Sequence, residues 1–149
     1  ILSVAKLAVS FSTQYPAIKR DLLLTGVILH DIGKTRELSC ERSFQYTDEG
    51  QLTGHLISGV LMVYEKAHQI DGFPSDLLNV LFHLILSHHG EYEWGSPVKP
   101  GIPEAIALHH LDNLDAKVHA ATKAITEHKD TGSSWTEYVK MFERRLYKK

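Results

Sequence analysis

Residues 20–34, RDLLLTGVILHDIGK, place the tightest constraint on this chain. Leu22, Leu23, Leu24, Val27, Ile28 and Leu29 make a segment apolar on nearly every side, which suits a helix buried in a core. The same segment ends on His30, Asp31 and Lys34. An imidazole, a carboxylate and an ammonium group at the end of a buried helix need partners, because unpaired charge in an apolar interior is costly. A fold for this chain must bury that helix and gather further polar groups at its end.

The rest of the sequence supplies other helices to do so. Ile1, Val4, Ala5, Ala8 and Phe11 recur at helical intervals, and the stretch from Ser12 to Pro16 ends this first helix. The second runs from about Ala17 to Leu29. Gly33 is expected to close it, since glycine tolerates the backbone angles of a helix end. Thr35 to Gln51 has no sustained period and reads as a loop with a short extended piece near Phe44 to Thr47. A third helix is expected over Leu52 to Ile70, a fourth from Asp76 towards His88 with Gly90 ending it, and a fifth from Glu104 past Ala120. The segment DTGSS breaks the pattern, and Trp135 to Tyr147 reads as a last helix. No run of alternating strands appears. The expected fold is all-α, a bundle of about six helices, and 149 residues suit one domain.

Composition narrows the function classes. With 43% hydrophobic and 23% charged residues the chain can build a core, and a net charge of −2 gives no global attraction to nucleic acid. A basic group at Lys140, Arg144, Arg145, Lys148 and Lys149 leaves two readings open, a phosphate contact or an exposed face of the last helix. Cys40 is the only cysteine, so no intrachain disulfide forms and a cytoplasmic setting is the simplest expectation. No apolar run reaches the roughly 18 residues of a membrane span. The sequence opens at Ile1 inside a helical pattern, and the start of the first helix is expected upstream.

Ten histidines are placed unevenly. His30 and Asp31 end helix two, His55 opens helix three, His88 and His89 end helix four, and Asp112 sits in helix five. A shared divalent ion would satisfy these groups together, because imidazole nitrogens and carboxylate oxygens are ligands for Mn, Fe, Co, Ni and Zn. On helix five, His109, Asp112, Asp115 and His119 form a polar stripe beside an apolar one. That stripe suits either a helix lining a site or a solvated face. His68 and His128 read as surface, and His83 stands too far around its helix from His88 to share its cavity. His89 is open between a ligand or substrate contact and a hydrogen-bonding support.

The motifs HDIGK (His30 to Lys34), GHLISG (Gly54 to Gly59), LSHHG (Leu86 to Gly90) and HHLDNLDA (His109 to Ala116), in that order, resemble those of HD-domain metal-dependent phosphohydrolases. The likeness is closest to the YhaM-type 3'-to-5' exoribonucleases, and LSVAKLA, WGSPVKP and WTEYVKMFERRLYKK share it. It covers essentially the whole chain. The resemblance implies an HD-domain helical bundle with metal ligands on His30, Asp31, His55, His88 and Asp112. It implies one or two divalent ions, manganese first, with Fe, Co, Ni, Zn or Mg as alternatives. The family pattern adds a histidine immediately before the residue that Ile1 matches.

In this reading Asp31 bridges metals, Lys34 faces a phosphate oxygen, and His89 or Asp115 handles a proton or orients water. The expected substrate is single-stranded RNA shortened from its 3' end, with an upstream OB-fold domain supplying nucleic-acid affinity and Tyr92, Glu93, Trp94 or Lys99 as contacts. Trp94 equally fits a packing role. The competing readings are a nucleotide phosphohydrolase and a catalytically degenerate regulatory or interaction module.

Overall fold

A computed structural model describes residues 1–40, 43–127 and 132–148. Six α-helices appear among them: α1 (Leu2–Gln14), α2 (Arg20–Leu29), α3 (Lys34–Glu37), α4 (Asp48–Ala67), α5 (Ser75–Ser87) and α6 (Pro103–Thr126). Two short antiparallel strands, β1 (Leu38–Ser39) and β2 (Gln45–Tyr46), pair Leu38 with Tyr46 and Ser39 with Gln45. The fold is predominantly helical, as expected. The chain divides into two compact units, Ile1–Leu111 and Asp112–Lys149.

The first unit holds the core. Val4 and Ala8 of α1, Leu23 and Val27 of α2, Val63 of α4, Leu81, Leu84 and Ile85 of α5, and Ala105, Ala107 and Leu108 of α6 are buried together. Each fully buried leucine, such as Leu23, Leu84 or Leu108, contributes roughly 1.5–3 kcal/mol. A Cβ on Gly26 would lie 3.1 Å from Leu84 and 3.3 Å from Leu108, so the absent side chain lets α2 settle close to both helices. Glu104, buried at the start of α6, accepts the Lys19 N–H at 2.8 Å and so satisfies a backbone donor at the start of α2 from outside.

The segment after α2 departs from expectation. Gly33 does not close a helix with unusual backbone angles, since its φ of −62° and ψ of −21° are helical. Tight turns, Ile32 N–H to Leu29 and Lys34 N–H to Asp31, carry the chain directly into α3. Glycine is required there for proximity: a Cβ on Gly33 would overlap the His55 carbonyl. The expected loop over 35–51 therefore contains α3, the small hairpin and the first turn of α4. Thr47 starts α4 by accepting the Gly50 N–H at 2.9 Å, and Gly54 interrupts the helix with φ 71° and ψ 160°. Gly90, φ 86°, ends the α5 segment as read from sequence.

The second unit carries α6 from Asp112 to its end and a C-terminal hairpin. The expected helix over Trp135 to Tyr147 is not formed. Trp135 pairs with Tyr147 and Val139 with Arg144, with one 3-10 turn at Lys140–Phe142 and Glu143 at φ 52°. The rings of Trp135 and Tyr147 lie 5.1 Å apart, and buried Thr136 accepts the Leu146 N–H at 3.0 Å through its hydroxyl. These residues bond across the hairpin, which a local helical period cannot anticipate. Lys140, Arg144, Arg145 and Lys148 belong to this hairpin, whereas Lys149 and His128 lie outside the described residues.

Candidate metal centre

Four imidazoles of the first unit come together, and each uses its nitrogens the same way. His30 Nδ1 donates to the Val27 carbonyl at 2.9 Å, and His88 Nδ1 donates to the Ile85 carbonyl at 2.7 Å. His89 Nδ1 donates to the Trp94 carbonyl at 2.9 Å, and His55 Nδ1 donates to Glu37 Oε1 at 3.1 Å. A carbonyl or carboxylate only accepts, so every Nδ1 carries the proton and every Nε2 of a neutral ring presents a lone pair. The four fall into two pairs of different origin, His30 with His88 and His55 with His89. In the first, the histidine sits at or just past a helix C-terminus and reaches back three residues to a carbonyl in the last turn. In the second, the partners come from α3 and from the loop after α5.

Those lone pairs face one another around Asp31. His30 Nε2 lies 3.4 Å from Asp31 Oδ2, while His55 Nε2 and His88 Nε2 each lie 3.7 Å from Oδ1. His55 Nε2 and His89 Nε2 are 3.2 Å apart with no donor between two neutral rings. Asp31 Oδ1 is buried and accepts no hydrogen bond among the described residues. His30, Asp31 and His88 form one group with ligand atoms within 4.8 Å of one another, and His55, His88 and His89 form a second. His88 belongs to both, and Asp31 Oδ1 reaches towards two of the second group.

Protons are poor occupants for this space. Burial lowers the His88 pKa to about 3, against the favourable bond to the Ile85 carbonyl, and burial followed by the nearby His55 lowers that of His89. For Asp31, burial pushes the carboxyl up, but the hydrogen bond and charge of the Lys34 ammonium work against it, and the carboxyl is held well below the usual carboxylate range. Lys34 Nζ donates to Asp31 Oδ2 at 2.7 Å. An ionised carboxylate with converging imidazole lone pairs is a donor set for a divalent cation, and these residues fit one or two such ions.

His30, Asp31, His55, His88 and His89, expected at the site from the sequence, meet here. Lys34 stands beside them as the Asp31 counter-ion. Asp112 and Asp115 stand on α6 in the second unit, whereas both ligand groups are built from the first. Two supporting residues carry no such signal in the sequence. Glu37 falls in a segment read as loop and has no histidine or motif beside it. His109, read only as part of the polar stripe on α6, is buried and donates its Nδ1–H to the His88 carbonyl at 2.9 Å. It also fills the space over Gly90 that a Cβ would need, a second reason for glycine at that turn. His83 supports the following loop, its Nε2 accepting the Gly101 N–H at 2.8 Å.

A groove of about 320 Å³ opens beside His55, lined by Thr53, Gly54, Leu56, Ile57, Gly95 and Pro97. It carries no charged wall. Tyr92, with Lys99 5.3 Å above its ring, and Trp94, 5.7 Å from His109, stand half-exposed on the loop after α5. Lys99 pairs there with Glu91.

Comparison with known proteins agrees with this geometry. A family model described as HD domain matches residues 1–117. The 3'-5' exoribonuclease YhaM of Bacillus pumilus is 44% identical over 149 residues, covering 100% of this chain and 46% of its own length. The enzymes of that name from Bacillus subtilis and a Geobacillus species are each 43% identical, with 46% and 45% of their lengths covered. The chain thus spans about half the length of the curated relatives it matches. No solved structure matches it.

Proposed function

This chain belongs to the HD domain family, and on that premise we propose that the protein hydrolyses phosphodiester bonds with one or two divalent ions, shortening single-stranded RNA from its 3' end. The convergence of the His30, His55 and His88 Nε2 lone pairs on Asp31, with each Nδ1–H satisfied behind them, carries the metal part of this reading. The curated relatives, named as 3'-5' exoribonucleases, support the substrate and polarity. Manganese is the expected ion, with Fe, Co, Ni, Zn or Mg as alternatives. A bound divalent ion supplies Lewis acidity, making hydroxide accessible near neutral pH and stabilising charge on phosphoryl oxygens.

The protein's own groups have distinct tasks in this proposal. His30, His55 and His88 hold their Nε2 lone pairs in place, and Asp31 offers one oxygen to each ligand group. Lys34, partly exposed and already paired with Asp31, brings positive charge to an incoming phosphate. His89, next to the groove and restrained by the Trp94 carbonyl, accepts or returns a proton at Nε2. The uncharged groove beside His55 gives room for a ribose and base, and Tyr92 or Trp94 offers a stacking face. Asp112 as a further ligand and Asp115 as a proton-handling group rest on their motif.

An OB-fold domain ahead of this one would supply RNA affinity, which a net charge of −2 does not. The relatives have length for such a domain. With one cysteine and no helix among the described residues long and apolar enough to cross a membrane, the cytoplasm is the proposed setting.

Full-length protein given Mn(II) and 5'-labelled RNA should yield a descending ladder, and 3'-labelled RNA should release labelled mononucleotide first. Turnover of free nucleotides without shortening of RNA would replace this reading with that of a nucleotide phosphohydrolase.

A further inference from the structure

Among the four imidazoles, His55 alone rests on a side chain rather than a backbone carbonyl. Glu37 Oε1 accepts two bonds from that one residue, the backbone N–H at 3.1 Å and the ring Nδ1–H at 3.1 Å. The Gly54 interruption just ahead, φ 71°, starts a fresh helical segment at His55, whose N–H points to an acceptor outside the helix. Glu37 caps that segment and orients the ring with the same oxygen.

The backbone that carries this carboxylate is itself held. Glu37 is 8% exposed, its carbonyl accepts the Thr47 N–H at 2.9 Å, and the Thr47 hydroxyl donates to the Arg36 carbonyl at 2.8 Å. A Cβ on Gly50 would collide with the Glu37 backbone, so the start of α4 lies directly against it. Freedom for the Glu37 side chain is small, and with it freedom for the His55 ring. A carboxylate partner at Nδ1 also leaves Nε2 more electron-rich than a carbonyl partner does.

We infer that Glu37 is a positioning residue of the metal centre, fixing His55 as the Nδ1–H tautomer and aiming its Nε2 at Asp31, His88 and His89. This rests on the metal reading above. Glu37 offers no ligand atom to the cluster and does not line the groove, and among the described residues its carboxylate bonds reach only the N–H and Nδ1–H of His55, so its influence passes through that residue.

The test uses full-length protein labelled with 15N-histidine, read by NMR without metal and by calorimetric titration with Mn(II). In the wild type, His55 shows the Nδ1–H tautomer. Glu37→Gln keeps a side-chain carbonyl acceptor and is expected to retain that tautomer with Mn(II) binding several-fold weaker. Glu37→Ala is expected to lose the fixed tautomer and bind Mn(II) about 10–100-fold more weakly. Wild-type affinity in both variants, with the tautomer retained in Glu37→Ala, would overturn the inference and leave Glu37 only a helix cap. Should Glu37→Ala fail to fold, wild-type affinity in Glu37→Gln overturns it alone. A wild-type protein that takes up no Mn(II) overturns the metal reading instead, so the two failures are told apart.

Discussion

The candidate centre has two halves of different construction. His30 and His88 are nearly sealed, 1% and 3% exposed, and each is held by a carbonyl three residues earlier in its own chain segment. His55 and His89 are more open, and their partners are Glu37, 18 residues away, and Trp94 on an exposed loop. The first half is set once two helices end where they do. The second exists only after α3, the small hairpin and the α5–α6 loop have docked. Local bonds make a rigid half, and long-range bonds make one whose geometry depends on the rest of the unit.

Asp31 joins the halves, so its loss has the largest expected effect. Asp31→Ala should remove divalent-ion retention and lower RNA hydrolysis by on the order of 10²–10³-fold, measured by elemental analysis and single-turnover kinetics. Activity near that of the wild type would mean that the halves work independently. Next comes Gly33→Ala, which forces a side chain against the His55 carbonyl. It should cost about 3 kcal/mol by denaturant unfolding, and should disturb His55 before His88 in histidine NMR spectra. An equal disturbance of both would erase the distinction.

A matched pair sharpens the contrast further. His30→Ala empties a fully buried position and should lose about 2 kcal/mol of metal-free stability, whereas His89→Ala should lose less than about 1 kcal/mol. Equal losses would show that burial does not separate the halves.

The smallest effect concerns His83, on the same helix as His88 but outside the cluster. Burial lowers its pKa below 6.5 in the folded state, so the unfolded chain takes up the proton first and stability falls as pH drops below 6.5. Protonation also removes the acceptor for the Gly101 N–H. The decline in thermal midpoint between pH 8 and pH 5 should be slightly smaller in His83→Gln than in the wild type. An unchanged decline would assign it to other groups.

The rigid half was the more legible in sequence, for the same physical reason. An apolar helix ending on His30 and Asp31, or on His88 and His89, announces a buried polar terminus within one short window. His55 was legible only as an imidazole in an apolar setting, and its partner Glu37 not at all, because their pairing spans the hairpin. The C-terminal segment failed likewise. Trp135 to Tyr147 has apolar residues at spacings compatible with a helix, yet the Trp135–Tyr147 and Thr136–Leu146 contacts across the turn prevail. Six helices were expected and six are described, but α3 stands where a loop was read and the hairpin where a helix was.

Gly33 sets a dimension as well as a contact. Where side chains separate two helices, a rotamer change can open or narrow the gap by a fraction of an ångström. Here main chain rests on main chain, with Asp31 two residues to one side and His55 itself on the other. Peptide thickness acts as a gauge block: the spacing between the two main chains that carry the carboxylate and the imidazole is cut to one size, whichever rotamers the side chains above them take.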